Sequence, residues 1–174
     1  MFQIGDLVVY GGEGVCRVLD IGIPDIPGLE FDSPYYPLKP LYRDGKTFTP
    51  VNTNVFMRAV ISKEEAQDLI RQIPEIDPDP FVESNLRLLS EHYEETIQAY
   101  DCAGLIRLIQ AVYSKGVTAV ENRKKLGQID ERYRRRAEDL LHGELAVALD
   151  IPKDNVKDYI EESVQEQDRQ RSAG

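Results

Sequence analysis

The chain has few of the residues that carry metal and redox chemistry: two cysteines, Cys16 and Cys102, and two histidines, His92 and His142, in 174 residues. The cysteines stand far apart, without a Cys-x-x-Cys pair, one in a predicted strand and one near a predicted helix start. They read as packed or surface thiols, and neither a disulfide nor a metal site is implied. Each histidine falls on a predicted helix with no nucleophile-elbow or metal-helix motif around it and reads as structural or solvated. Adjacent carboxylates such as Glu94-Glu95 and Glu161-Glu162 read as helix surface rather than a glycosidase pair. A Gly-rich Lys-Ser/Thr phosphate loop is also missing. No catalytic, cofactor-binding or metal-ligating residue is therefore assigned, and a non-enzymatic protein is expected. There is no stretch of about 18 apolar residues and no basic leader ahead of one, so neither a membrane span nor a secretory signal is expected, and the expected location is the cytoplasm.

Positive charge is in deficit. Lys and Arg number 21 against 31 Asp and Glu, a formal net charge of −10, which argues against generic binding to nucleic acid. The distribution qualifies this, because residues 115–136 hold eight basic and three acidic side chains, a local balance of +5. The rest of the chain carries −15.

Against these absences, the N-terminal segment is rich in β signal. Leu7-Val8-Val9-Tyr10 and Val15-Cys16-Arg17-Val18-Leu19 are short β-branched and aromatic runs separated by Gly11, Gly12 and Gly14, which predicts an antiparallel hairpin. In the second run neither alternating face is purely polar, so both are expected to meet protein. Further strands are predicted over 35–42, 47–51 and 55–61, with Arg43-Asp44-Gly45-Lys46 as a turn. Five short strands in about 60 residues suggest an SH3/Tudor-like barrel. Pro37, Pro40 and Pro50 cannot donate to a ladder, so they belong at edges, bulges or strand ends and leave at least one strand exposed.

At Ser62-Lys63-Glu64-Glu65 the pattern changes to a capping box followed by Ala66, Leu69, Ile70 and Ile73 at helical spacing. The run Pro74-Glu75-Ile76-Asp77-Pro78-Asp79-Pro80 predicts an extended connection. Helices are then predicted over 84–100, 103–124, 128–149 and 152–166, with a frayed polar tail over 165–174. In the third of these, Ile129, Tyr133, Ala137, Leu140, Leu141, Leu145 and Ala148 share one broad face, the signature of core packing. The predicted fold class is α+β in two domains: a five-stranded SH3/Tudor-like β-barrel over 1–62, a capped helix and Pro-rich connection over 63–83, and an all-α helical bundle over 84–174.

Two segments resemble one family. Gly-Asp-Leu-Val-Val-Tyr, then Gly-Val-Cys-Arg-Val followed by Asp20-Ile21, resembles the opening of CarD/CdnL-type bacterial transcription regulators and the RNA-polymerase-interacting module of the transcription-repair coupling factor. Ala137-Glu138-Asp139-Leu140-Leu141-His142-Gly143-Glu144-Leu145-Ala146-Val147-Ala148-Leu149 is similar to the penultimate-helix signature of the CarD family. The missing phosphate loop of an ATP-driven motor favours the small regulator over the coupling factor. This resemblance implies that the barrel docks on the RNA polymerase β subunit by β-augmentation, with contacts carried over to Ile23, Pro24, Asp25 and Ile26 and to Lys46, Thr47, Phe48 and Thr49. Each competes with an ordinary strand, turn or core role.

The resemblance also implies that the helical domain meets promoter DNA at the upstream edge of the open complex, with a Trp as minor-groove wedge. This chain has no Trp, and Leu89 falls at that position, where it reads as an apolar wedge or as a core residue, followed by Glu91, Glu94 and Glu95, which repel phosphate. The basic stretch is the other candidate: Arg132 and Arg136 share one flank of the predicted helix, Arg135 lies beyond them, Arg134 points away, and Lys124 and Lys125 extend the patch. Pairing with Glu131, Glu138 and Asp139 is the competing reading. The expectation is a bacterial transcription regulator that binds polymerase and stabilises the open complex. A polymerase-bound or other protein adaptor without DNA contact is the alternative, and the oligomeric state is left open.

Overall fold

A computed structural model describes residues 2–55, 57–99 and 101–173. Phe56 in the last predicted strand and Tyr100 at the end of a predicted helix lie outside the described residues, as do Met1 and Gly174. The chain divides into two compact units, residues 1–60 and 61–174.

The first unit is a curled antiparallel sheet of five strands, a half-barrel, in the order β4-β3-β2-β1-β5. Strands β1 (Leu7–Tyr10) and β2 (Gly14–Val18) form the predicted hairpin. Gly11 at φ +42° and Gly14 at φ +85° carry the turn, a backbone region that side chains with a Cβ rarely adopt. Strand β3 (Tyr35–Pro40) pairs with β2, β4 (Thr47–Pro50) pairs with β3, and β5 (Met57–Ala59) pairs with β1. Among the described residues no ladder joins β4 to β5, so both are edges.

One face of the sheet gathers Val8, Tyr10, Cys16, Val18, Tyr36 and Leu38 into a core, with Phe2, Ile21, Val51 and Met57 packed around it. On the opposite face Val9 and Val15 stand across from each other and are also buried, in line with the mixed alternation of the second strand. Pro40 and Pro50 end their strands, as expected, whereas Pro37 stands inside β3, an interior strand between β2 and β4, and offers the ladder only its carbonyl, which accepts the Leu19 N–H at 2.9 Å.

The second unit is helical. Helix α1 (Lys63–Gln72) begins with the predicted capping box: the Ser62 hydroxyl accepts the Glu65 N–H at 3.0 Å, and the Glu65 carboxylate accepts the Ser62 N–H at 3.2 Å. Helix α2 (Leu86–Ala99) is capped by Asn85, whose side-chain oxygen accepts from Arg87 and Leu88, so it starts two residues later than the sequence pattern suggested. Helix α3 (Cys102–Glu121) starts on the Asp101 cap and stops short of residue 124, because the chain turns to a left-handed conformation at Arg123. Helix α4 (Gln128–Leu149) ends at Asp150, also left-handed.

Helix α5 (Val156–Ala173) departs from expectation at both ends. A 3-10 turn at Lys153–Asn155 follows the extended Pro152, which delays its start. The tail expected to fray is helical through Ala173, with Arg171 reaching Glu75 at 2.8 Å and Arg169 and Gln170 bonding Glu166. The core joins Leu89, Tyr93 and Ile97 of α2, Leu105, Leu108 and Val112 of α3, and the predicted α4 face from Tyr133 to Leu145.

Within that core lies one carboxylate, Glu144 of α4, 1% exposed. Its Oε2 accepts the Ile61 N–H at 3.0 Å, at the entry to α1, and its Oε1 accepts the Cys102 thiol at 3.1 Å, at the first residue of α3. A residue of the quoted α4 signature thus holds two chain segments distant in sequence. A buried acid is tolerated only with such partners.

Candidate interaction sites

The first candidate site lies on the half-barrel, around the β4 edge. Leu19, Asp20 and Gly22 leave β2, and Gly22 forms a bridge with Tyr35 through paired backbone bonds of 3.2 and 2.8 Å. That bridge holds the following loop beside β3. The result is an open groove of about 480 Å³ lined by Ile23, Pro24, Asp25 and Ile26 of the loop, Pro37 of β3, and Lys46 and Phe48 at β4. Six of the eight residues singled out for protein docking converge here. Ile23 is 63% exposed and Phe48 38%, so apolar surface faces solvent on both sides of the groove. Asp20, Asp25 and Lys46 supply charge of both signs.

The other two residues point elsewhere. Thr49 is 1% exposed and stands opposite Tyr36 on the core side of the sheet, and Thr47 is half-buried. Their backbones are also committed. Val51 N–H donates to Pro34 C=O at 3.1 Å, which sets the alternation of the ladder: Thr49 and Thr47 bond inward to Tyr36 and Leu38, while Phe48 directs its N–H and C=O outward. Pro50 has only a carbonyl to offer. The edge available to a partner strand is therefore short and centred on Phe48. Leu19, Asp20, Gly22 and Pro37 belong to the groove without having been singled out in the sequence, because only the β2–β3 register brings them there.

The second candidate site is the basic surface of the helical unit. Arg123, Lys124 and Lys125 are exposed in the turn between α3 and α4, and among the described residues none of them pairs with a carboxylate. Arg132 is exposed, with its guanidinium 5.0 Å from the centre of the Tyr133 ring. Arg135 is exposed and touches Glu131 at 3.1 Å. The remaining arginines are engaged. Arg136 places Nη1 at 2.9 and 3.2 Å from the two Glu94 oxygens, and the Tyr133 hydroxyl donates to the same carboxylate at 3.0 Å. Burial alone would raise Glu94, but these bonds and one from Gln98 hold it below the ordinary carboxylate range. Arg134 lies between Glu131 and Glu138.

Leu89 takes the core role that competed with the wedge. It is 4% exposed, within the core of α2, and a wedge between base steps needs an apolar side chain that protrudes. Its place on the α2 face with Tyr93 and Ile97 makes it a packing residue. Arg136 is corrected in a milder sense, because its charge is already met by Glu94 from a different helix. The cationic surface that faces solvent is thus Arg123, Lys124, Lys125, Arg132 and Arg135. Arg123 had not been singled out, although it adjoins Lys124 in the sequence.

His92 takes the structural one of its two sequence readings. Its Nε2 meets Asp79 Oδ2 at 2.5 Å and its ring stacks on Phe81 with centroids 3.8 Å apart, pinning the Pro-rich connection to α2. The cysteines are both buried, and burial pushes the Cys16 thiol up to about 11. Among the described residues no group of His, Cys, Asp and Glu is arranged to hold a metal ion, and no helix is long and apolar enough to cross a membrane.

Compared with known proteins, residues 2–61 match the family model of the CarD-like/TRCF RID domain. The matched segment coincides with the half-barrel unit and ends where the helical unit begins. No curated protein matches the chain.

Proposed function

We propose that this protein, built on a CarD-like/TRCF RID domain, is a regulator of transcription that binds RNA polymerase through the β4 edge and its groove. The observation that carries the reading is the convergence of Ile23, Pro24, Asp25, Ile26, Lys46 and Phe48 around one groove, next to the only β4 residue with both backbone groups turned outward. Such an edge takes a partner strand by main-chain hydrogen bonds, while the flanking groove selects side chains. The partner proposed is a strand of the polymerase β subunit. A free edge this short supplies few main-chain bonds, so Ile23 and Phe48 provide the apolar anchors.

The helical unit is proposed to meet the DNA backbone of the promoter through Lys124, Lys125, Arg132 and Arg135, with Arg123 beside them, and so to stabilise the open complex. Backbone contacts of this kind position a protein without reading bases. A second reading, an adaptor on polymerase without DNA contact, is favoured by the burial of Leu89 and by the Glu94 carboxylate on Arg136.

Retention of a polymerase β-subunit fragment by the full chain tests the first half. Ile23→Asp and Phe48→Asp are each expected to weaken retention at least about tenfold. A wild-type chain that fails to retain the fragment, or variants that retain it fully, would overturn the docking reading. Promoter DNA binding in the presence of polymerase, titrated with salt, tests the second half. Lys124→Glu with Lys125→Glu is expected to abolish the contribution of the chain, and an unchanged salt dependence would leave the adaptor reading in its place.

A further inference from the structure

The helical unit has an exposed apolar stripe that neither site uses. On α3, Tyr113, Val117 and Val120 fall at positions i, i+4 and i+7, and Tyr113 and Val120 are 72% and 75% exposed. They form one wall of an open groove of about 930 Å³ that extends from Ile76 and Pro78 of the Pro-rich connection to Leu126 ahead of α4. A contiguous apolar surface of this kind marks an interaction face.

The charges at its two ends say what fits there. At one end Asp77 lies between the lining residues Ile76 and Pro78, exposed and, among the described residues, without a basic partner; Glu75 beside it already meets Arg171. At the other end Arg123, Lys124 and Lys125 lie between Val120 and Leu126, with Glu121 the one acidic side chain in the lining there. Between the ends the rim is balanced, Arg134 and Lys157 against Glu138 and Glu161. The groove is thus apolar along its length, with the carboxylate of Asp77 at one end, where Arg107 also stands near Asp79, and three basic side chains at the other.

From this polarity we infer that the face pairs with a second copy of the chain, α3 against α3 in antiparallel sense. In a two-fold arrangement every contact occurs twice, so the basic turn of each copy meets Asp77 of the other while Tyr113, Val117 and Val120 pack across the axis. A stretch of 12 residues, from Ile109 to Val120, separates the two ends by roughly 16 Å, further than the Debye length in physiological salt, so the two charged ends act as separate contacts. Opposite ends attract only in this orientation. The parallel one sets like charges together. The pairing occupies Lys124 and Lys125, so self-association competes with the DNA contact proposed for the same turn.

Sedimentation equilibrium of the full chain, at low and high salt, tests the pairing. The wild type is expected to dimerise, more strongly at low salt. Val120→Glu, at an exposed position that leaves the fold intact by circular dichroism, is expected to reduce the association constant at least about tenfold. Asp77→Lys is expected to weaken the dimer, and adding Lys124→Asp with Lys125→Asp to that variant is expected to recover it. A monomer at all accessible concentrations in low salt would overturn the inference, whether the face is then bare or serves a different protein. A dimer indifferent to Val120→Glu, or charge reversals that fail to compensate, would overturn it equally.

Discussion

Glu144→Ala removes the only acidic group in the helical core among the described residues, and its cost follows from what the carboxylate holds. The Ile61 N–H at 3.0 Å loses its acceptor at the entry to α1, and the Cys102 thiol at 3.1 Å loses its own at the start of α3. A hydrogen bond to a charged group contributes about 1.5–3 kcal/mol, a thiol donor less, and a donor left without a partner adds a desolvation cost of about 1–3 kcal/mol. The truncated side chain also leaves a hole in close-packed surroundings, although the exchange relieves the cost of keeping a charge from water. The expected net loss is about 3–5 kcal/mol, a large fraction of the roughly 5–15 kcal/mol that holds a domain together. Glu144→Gln keeps the volume and one carbonyl oxygen but turns an amide donor toward one of the two donors, so it should cost about 1–2 kcal/mol. Urea unfolding followed by far-ultraviolet circular dichroism, which reports the helical unit, measures both. A double-mutant cycle with Cys102→Ala isolates the thiol contact. If Glu144→Ala costs less than about 1 kcal/mol at an unchanged denaturant slope, the carboxylate is not what holds α1 and α3 to α4.

Three further outcomes are expected. Burial holds His142 below its ordinary value of 6.5, so the unfolded chain binds the proton first: stability should fall as pH drops below that value toward the folded-state pKa, and His142→Leu should flatten this part of the urea-midpoint profile. Ser62→Ala removes the cap of α1 and should cost about 1 kcal/mol in the same unfolding assay; no measurable change would mean that α1 is held by packing alone. Cys16 and Cys102 are both buried, with the Cys16 thiol pushed up to about 11, so a thiol-specific reagent at neutral pH should find little to modify in the native protein and two thiols after unfolding; rapid native labelling would contradict their placement.

The legible parts of this chain were those with a local cause. Glycines flanking β-branched runs marked the β1–β2 hairpin, the Ser62–Glu65 box marked the start of α1, and the spacing of Tyr133, Ala137, Leu140, Leu141 and Leu145 marked the buried face of α4. Element ends were less legible. At Arg123 the left-handed turn is taken by a residue without glycine's freedom, so the sequence carried no strong stop there and α3 was expected to run to residue 124, whereas α4 ends at Leu149 as expected. The helical tail to Ala173 carries Arg171 to Glu75, a residue almost a hundred positions away.

For the sites the division is similar. By itself the sequence determined that the N-terminal segment is a small antiparallel β unit resembling a polymerase-docking module, that helices follow, and that one stretch of a strongly acidic chain is basic. Only the tertiary structure decided which of those residues face outward. Period-two alternation places Thr49 and Phe48 on opposite faces but does not say which face is core; the packing of Tyr36 settles it, burying Thr49 and leaving Phe48 at the open edge. Likewise a list of arginines does not distinguish the engaged from the available. Arg136 meets a carboxylate from another helix and Arg134 two from its own, whereas the turn at Arg123, Lys124 and Lys125 does not pair with any among the described residues. Charge in a sequence is additive, while charge at a surface depends on which partners the fold brings within reach.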